Sequence, residues 1–172
     1  MLTLAILGFL AEGPLHGYEL RRKVAQLSGY ARPVSDGTLY PAISRLVRAG
    51  FLDQRAEKGK AAARRNVLSL TEPGRAHLGK LLRGASGVEI TDFARFATVL
   101  AFLALLPDRG ERDAVLRRRL EFLEQPASFF YDGDTALRQR DMTDPYRNGL
   151  FLIAKATSTA ERGWLQQTLD RR

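Results

Sequence analysis

Thr38, Tyr40, Ser44, Arg45 and Arg48 bring two guanidinium groups, two aliphatic hydroxyls and a phenolic hydroxyl into one short stretch of chain. Wound as a helix, that stretch turns Leu39, Ala42, Ile43, Leu46 and Val47 to one side. Thr38, Pro41, Ser44, Arg45 and Arg48 face the other way, with Tyr40 on the flank. Guanidinium and hydroxyl groups donate hydrogen bonds to phosphate oxygens and to base edges, so the outward face has the chemistry to hold double-stranded nucleic acid. The competing interpretation is an ordinary surface helix with solvated charges. Pro41 has no N–H and crowds the carbonyl of residue 37; because residue 37 is glycine, a local bend is expected there.

Other chemistries lack material. There is no cysteine, which removes disulfides, cysteine-ligated metals and thiol nucleophiles, and His16 and His77 are the only histidines. Gly8, Gly13 and Gly17 follow no strand and so form no nucleotide fingerprint. No enzyme activity, metal or cofactor is expected. The apolar opening Leu2–Leu10 lacks a basic leader and is cut short by Glu12, and no stretch approaches the ~20 apolar residues that cross a bilayer. A soluble, cytoplasmic protein without a membrane partner is the expectation.

Charge is distributed unevenly. Residues 1–83 carry 14 Lys and Arg against 6 Asp and Glu, whereas residues 84–172 carry 13 against 13, so the whole net charge of +8 sits in the first half. A phosphate-binding module joined to a neutral assembly module would have this distribution.

The elements that must position the polar face follow from periodicity and breakers. A helix is predicted over Leu2–Glu12, stopped by Gly13-Pro14, and a second over His16–Ser28 with Leu20, Val24 and Leu27 on one face. Ser35-Asp36 opens the third helix, offering side-chain acceptors to its first turn, and the helix ends at Gly50. Residues 51–55 and 66–70 read as strands around a basic connection, with five basic residues against one acidic from Arg55 to Arg65. A basic hairpin directly after an outward-basic helix is the layout of a winged helix-turn-helix, in which the helix enters the major groove and the wing grips flanking backbone. Thr71 caps a fourth helix, with Pro73 in its tolerant first turn.

Ala85-Ser86-Gly87 marks the expected boundary between a DNA-binding domain at residues 1–84 and a helical domain at residues 85–172. Beyond it, helices are predicted over Ile90–Leu106, Glu111–Glu124 and Pro145–Leu169, with no firm pattern over 126–144. The Arg117-Arg118-Arg119 run reads as a solvated face. Along the last helix Tyr146, Leu150, Ile153, Thr157, Ala160 and Trp164 follow a 4-3-4-3-4 spacing, a partner-helix seam with weak members. Helices this apolar outside a small N-terminal core need a partner surface, and a second copy of the chain is the simplest one. The fold expected is mainly α: an N-terminal winged helix-turn-helix with a small β-hairpin wing, followed by an α-helical dimerisation domain.

Leu15-His16-Gly17-Tyr18-Glu19-Leu20, Gly37-Thr38-Leu39-Tyr40-Pro41-Ala42-Ile43-Ser44-Arg45-Leu46 and Ala49-Gly50-Phe51-Leu52 closely resemble, in order and spacing, blocks of the PadR family of regulators. The resemblance runs on through Ser69-Leu70-Thr71-Glu72-Pro73-Gly74-Arg75, about 75 residues in all, and more loosely through Asp92-Phe93-Ala94, Asp144-Pro145-Tyr146 and Trp164-Leu165. It implies a homodimeric winged-helix repressor on an inverted-repeat operator. The DNA contacts it implies are Thr38, Tyr40, Ser44, Arg45 and Arg48, with Lys58, Lys60, Arg64 and Arg65 in the wing. It also implies release from DNA by a small aromatic or amphipathic effector. The aromatic and apolar residues Phe93, Phe96, Leu100 and Phe102 of one helix are candidate pocket walls, with plain dimer core as the alternative. Two departures stand out. Leu68 replaces an aromatic residue, usually tyrosine, and Ala61-Ala62-Ala63 stands where glycine or proline is usual. The rival function is a winged-helix adaptor that binds protein and not DNA, since a fold alone does not fix function.

Overall fold

Three short antiparallel strands and the helices around them form the first part of the chain, in a computed structural model that describes residues 1–27, 35–57, 65–125 and 128–171. The chain divides into two compact units, Met1–Val115 and Leu116–Arg172. The architecture is mainly α, a winged helix-turn-helix followed by further helices, as the sequence indicates.

In the first unit, α1 (Leu2–Glu12), α2 (Gly17–Leu27), α3 (Asp36–Arg48) and α4 (Glu72–Arg83) surround a sheet of β1 (Leu15–His16), β2 (Leu52–Glu57) and β3 (Arg65–Leu70) in the order β1-β3-β2. Ile6 and Leu7 of α1, Leu20 of α2, Leu39 of α3 and Leu82 of α4 are completely buried, and Leu52 and Leu68 bring the sheet into the same core. The helices α2, α3 and α4 each bury one apolar stripe, whereas α1 is buried nearly all round, from Leu4 to Gly8 and at Leu10. The strand β1 was not expected. Two residues are too short to leave a period in the sequence, and Leu15 and His16 become a strand only by pairing with Leu68 and Val67.

Local chemistry fixes the helix ends. Gly50 adopts φ +74°, a left-handed conformation that glycine takes at little cost, and this ends α3 where expected. The Thr71 hydroxyl accepts from the Gly74 amide at 3.1 Å and donates to the Gly50 carbonyl at 2.6 Å, so one side chain caps α4 and ties it to the end of α3. Ser35 behaves differently from the expectation. It occupies the N-cap position of α3, but its Oγ lies 2.9 Å from the Thr38 Oγ1 and caps no amide; the first-turn amides of Thr38 and Leu39 go to the Ser35 carbonyl.

The helix predicted over Ile90–Leu106 is divided. A short α5 (Val88–Thr91) precedes α6 (Phe93–Phe102), and Leu103–Leu105 form a 3-10 turn. The break is at Asp92, whose backbone is extended and whose carboxylate accepts from the Arg95 amide at 2.9 Å, capping α6. These helices belong to the first unit. Phe96, Val99 and Phe102 are buried, and the Phe102 ring meets Phe9 edge-on with centroids 5.0 Å apart. The division between the compact units falls between Val115 and Leu116, within α7 (Arg109–Glu124), and α6 shares the core of the first unit with α1.

The second unit contains the last turns of α7, a small hairpin of β4 (Tyr131–Asp132) and β5 (Thr135–Ala136), and α8 (Pro145–Asp170). Gly133, at φ +54°, makes the hairpin turn. Arg119 corrects the expected solvated run. It is 3% exposed and binds Glu161 of α8 through two bonds, Nε to Oε1 at 2.7 Å and Nη2 to Oε2 at 2.9 Å. Phe151 packs its ring against Phe129 and Phe130 of the segment whose pattern was not legible.

Candidate nucleic-acid interface

The α3 helix sorts its side chains by chemistry. Leu39, Ala42, Ile43 and Leu46 are buried, whereas Thr38, Tyr40, Pro41, Ser44, Arg45 and Arg48 are exposed. The apolar stripe thus anchors the helix and leaves the polar stripe free to face a partner. Pro41 is accommodated inside a helix that runs unbroken from Asp36 to Arg48.

Charge pairing differs among the arginines of the unit. Arg21 is paired with Asp36 at 3.1 Å and Arg55 with Asp53 at 2.9 Å, so those guanidinium charges are locally balanced. Neither Arg45 nor Arg48 has an acidic partner among the described residues. Two unbalanced cations standing on one exposed helix face favour a polyanion. Pro41, Ser44, Arg45, Val47 and Arg48, with Gln54 of β2, line a shallow cleft of about 560 Å³ along this face.

A second cleft of about 330 Å³ adjoins it, lined by His16, Gly17, Tyr18, Tyr40, Ile43, Ser44, Gln54, Asn66 and Leu68. Ser44 and Gln54 belong to both clefts. Gly17 lets the Tyr40 ring lie close, since a Cβ there would be 3.2 Å from the ring carbon Cε1. Sequence reasoning named Tyr40 and Ser44 but missed Tyr18, Gln54 and Asn66. The signal that could have found the last two is the strand alternation, which sets Gln54 directly opposite Leu68 and Asn66 two residues from it toward the hairpin turn, all on one face.

Of the expected wing residues, Arg65 opens β3 opposite Glu57, while Lys58, Lys60 and Arg64 lie outside the described residues, as does Ala61-Ala62-Ala63. The four expected pocket walls part company. Phe96 and Phe102 are buried in the first unit, Leu100 is half-buried, and Phe93 is 58% exposed. On α8 the seam residues Tyr146, Leu150, Ile153 and Trp164 are all exposed, Tyr146 at 88% and Ile153 at 68%. Among the described residues no group of three or more His, Cys, Asp or Glu could hold a metal ion, and no helix is long and apolar enough to cross a membrane.

Residues 6–80 match the transcriptional regulator PadR-like family. Among solved structures, Bacillus subtilis PadR in complex with operator DNA is 21% identical, with 98% of each chain covered and a TM-score of 0.49. A transcriptional regulator from Clostridium thermocellum is 26% identical, over 45% of this chain and 75% of that one, with a TM-score of 0.42. A Streptococcus mutans structure is also 26% identical, over 52% and 80%, with a TM-score of 0.43. No curated protein matches the chain.

Proposed function

We propose, from the premise that residues 6–80 belong to the transcriptional regulator PadR-like family, that this chain is a homodimeric, sequence-specific DNA-binding repressor. The observation that carries the reading is the division of α3 into a buried apolar stripe and an exposed stripe of Thr38, Tyr40, Ser44, Arg45 and Arg48 whose guanidinium groups have no acidic partner among the described residues. Such a helix docks in the major groove, where arginine pairs with the guanine edge through two hydrogen bonds and hydroxyls reach phosphates. The wing cations Lys58, Lys60, Arg64 and Arg65 then hold flanking backbone. The work is done in the cytoplasm, where the DNA is.

The exposed Tyr146, Leu150 and Ile153 of α8 support self-association, because apolar side chains at this helical spacing gain by meeting an identical row. A two-fold pair of α3 helices reads an inverted repeat with half-sites one helical turn or a multiple apart. An effector that favours a dimer arrangement unsuited to the operator releases the DNA; it shifts the balance only by its difference in affinity for the two arrangements.

The test is nuclease footprinting on DNA flanking the gene of this protein, followed by affinity measurements on the protected segment at several salt concentrations. Protection of an inverted repeat, with affinity falling linearly in the logarithm of salt, is expected. Absence of any protection, together with capture of a specific protein partner, would overturn the reading in favour of an adaptor.

A further inference from the structure

The cleft between α3 and the strands carries polar groups that the packing of the first unit does not use. The Tyr40 hydroxyl and the Gln54 and Asn66 carboxamides have no hydrogen-bond partner among the described residues. His16 Nδ1 is buried without one. The Tyr18 hydroxyl has only a long contact, 3.4 Å, to Glu19, whose other oxygen accepts from the His16 amide at 2.9 Å. Ile43 and Leu68, both buried, form an apolar floor. Among the described residues no Lys, Arg, Asp or Glu lines the cleft. A cluster of neutral donors around one concavity suits a group that offers several acceptor oxygens.

We infer that this cleft seats a phosphate of the operator backbone, with Tyr40, Gln54 and Asn66 as neutral donors and Tyr18 at the mouth. The inference rests on the proposed DNA-binding role of α3. Its source is continuity: Ser44 and Gln54 are shared with the cleft that holds Arg45 and Arg48, so a polyanion lying along the cationic cleft runs on into the neutral one. The two clefts do different work. Arginine contacts neutralise phosphates and release counterions, whereas hydroxyl and carboxamide contacts add hydrogen bonds without adding charge. The neutral seat therefore fixes the register of the protein on the duplex and leaves the salt dependence to the cations.

That separation makes the experiment. Dissociation constants of the full-length wild type, Asn66→Ala, Tyr40→Phe and Arg48→Ala are measured at several salt concentrations. Two duplexes are used, one carrying the footprinted segment and one of random sequence and equal length. Thermal melting by circular dichroism confirms that each variant is folded. Asn66→Ala and Tyr40→Phe should each weaken both duplexes roughly three- to tenfold, the worth of one hydrogen bond. They should leave unchanged both the ratio between the duplexes and the salt slope, which Arg48→Ala lowers by about one. If neither variant changes either affinity while Arg48→Ala does, the seat is refuted and the DNA-binding role stands. A change confined to the footprinted duplex would mean that the cleft reads a base, and a changed slope would mean a charged contact; either overturns the inference. Failure of the wild type to bind both duplexes removes the DNA-binding role itself.

Discussion

Phe102 occupies the place where a side chain on Gly8 would have to be. A Cβ built on Gly8 would lie 2.5 Å from the Phe102 Cγ, and the ring is itself buried against Phe9. The pair is one of the contacts that join α6 to α1, beside the edge-on packing of Phe102 on Phe9. Gly8→Ala should destabilise the protein by about 1–3 kcal/mol through overpacking. Adding Phe102→Leu should recover part of that loss, a coupling that denaturant titration of the two single variants and the double variant would measure. Additive losses would show that the ring moves aside freely.

Arg119 and Glu161 make the corresponding join in the second unit. Both are largely buried, at 3% and 11% side-chain exposure. Replacing Glu161 with Gln removes the carboxylate charge that faces the buried Arg119 guanidinium and should cost about 3–5 kcal/mol. The double replacement Arg119→Met, Glu161→Leu should cost less than either single change. Equilibrium unfolding by circular dichroism decides between this order and simple additivity.

Arg45 and the wing lysines should fail in different ways. Arg45→Ala is expected to cost about 1–3 kcal/mol on the footprinted segment and to relax preference at one base position. Lys58→Ala and Lys60→Ala should weaken binding to all sequences alike, each lowering the salt slope by about one for the phosphate lost. An unchanged specificity ratio in Arg45→Ala would make that residue a backbone contact only.

Ile153→Asp should give a folded monomer, because it sets a carboxylate in the middle of the exposed apolar row on α8 without touching the buried Leu165. Light scattering at micromolar concentration would report a halved mass. A wild type that is already monomeric would end the dimer proposal.

Phe96 is fully buried, so Phe96→Ala should lower stability by about 3–5 kcal/mol, as core truncations of this size do. Phe93 and Leu100, which keep exposure, are the two of the four aromatic-helix residues left to meet an effector. A screen of phenolic and planar amphipathic compounds for release of DNA, repeated on Phe93→Ala, tests that role. Release that is identical in the two proteins would exclude Phe93.

The amino-acid sequence alone determined the polar face of α3, since helical periodicity sorts Leu39, Ala42, Ile43 and Leu46 from Thr38, Ser44, Arg45 and Arg48 without reference to any other part of the chain. It determined the end of α3 at Gly50 and the Thr71 cap for the same reason: both are local events, decided within three or four residues. Tertiary structure decided whatever depends on residues far apart in the chain. Leu15 and His16 are a strand only because Leu68 and Val67 lie beside them. Arg119 is buried only because Glu161, 42 positions later, supplies the charge that makes burial tolerable. Gln54 and Asn66 look like ordinary exposed strand residues until β2, β3, α2 and α3 close round one cleft, and no spacing in the sequence records that convergence.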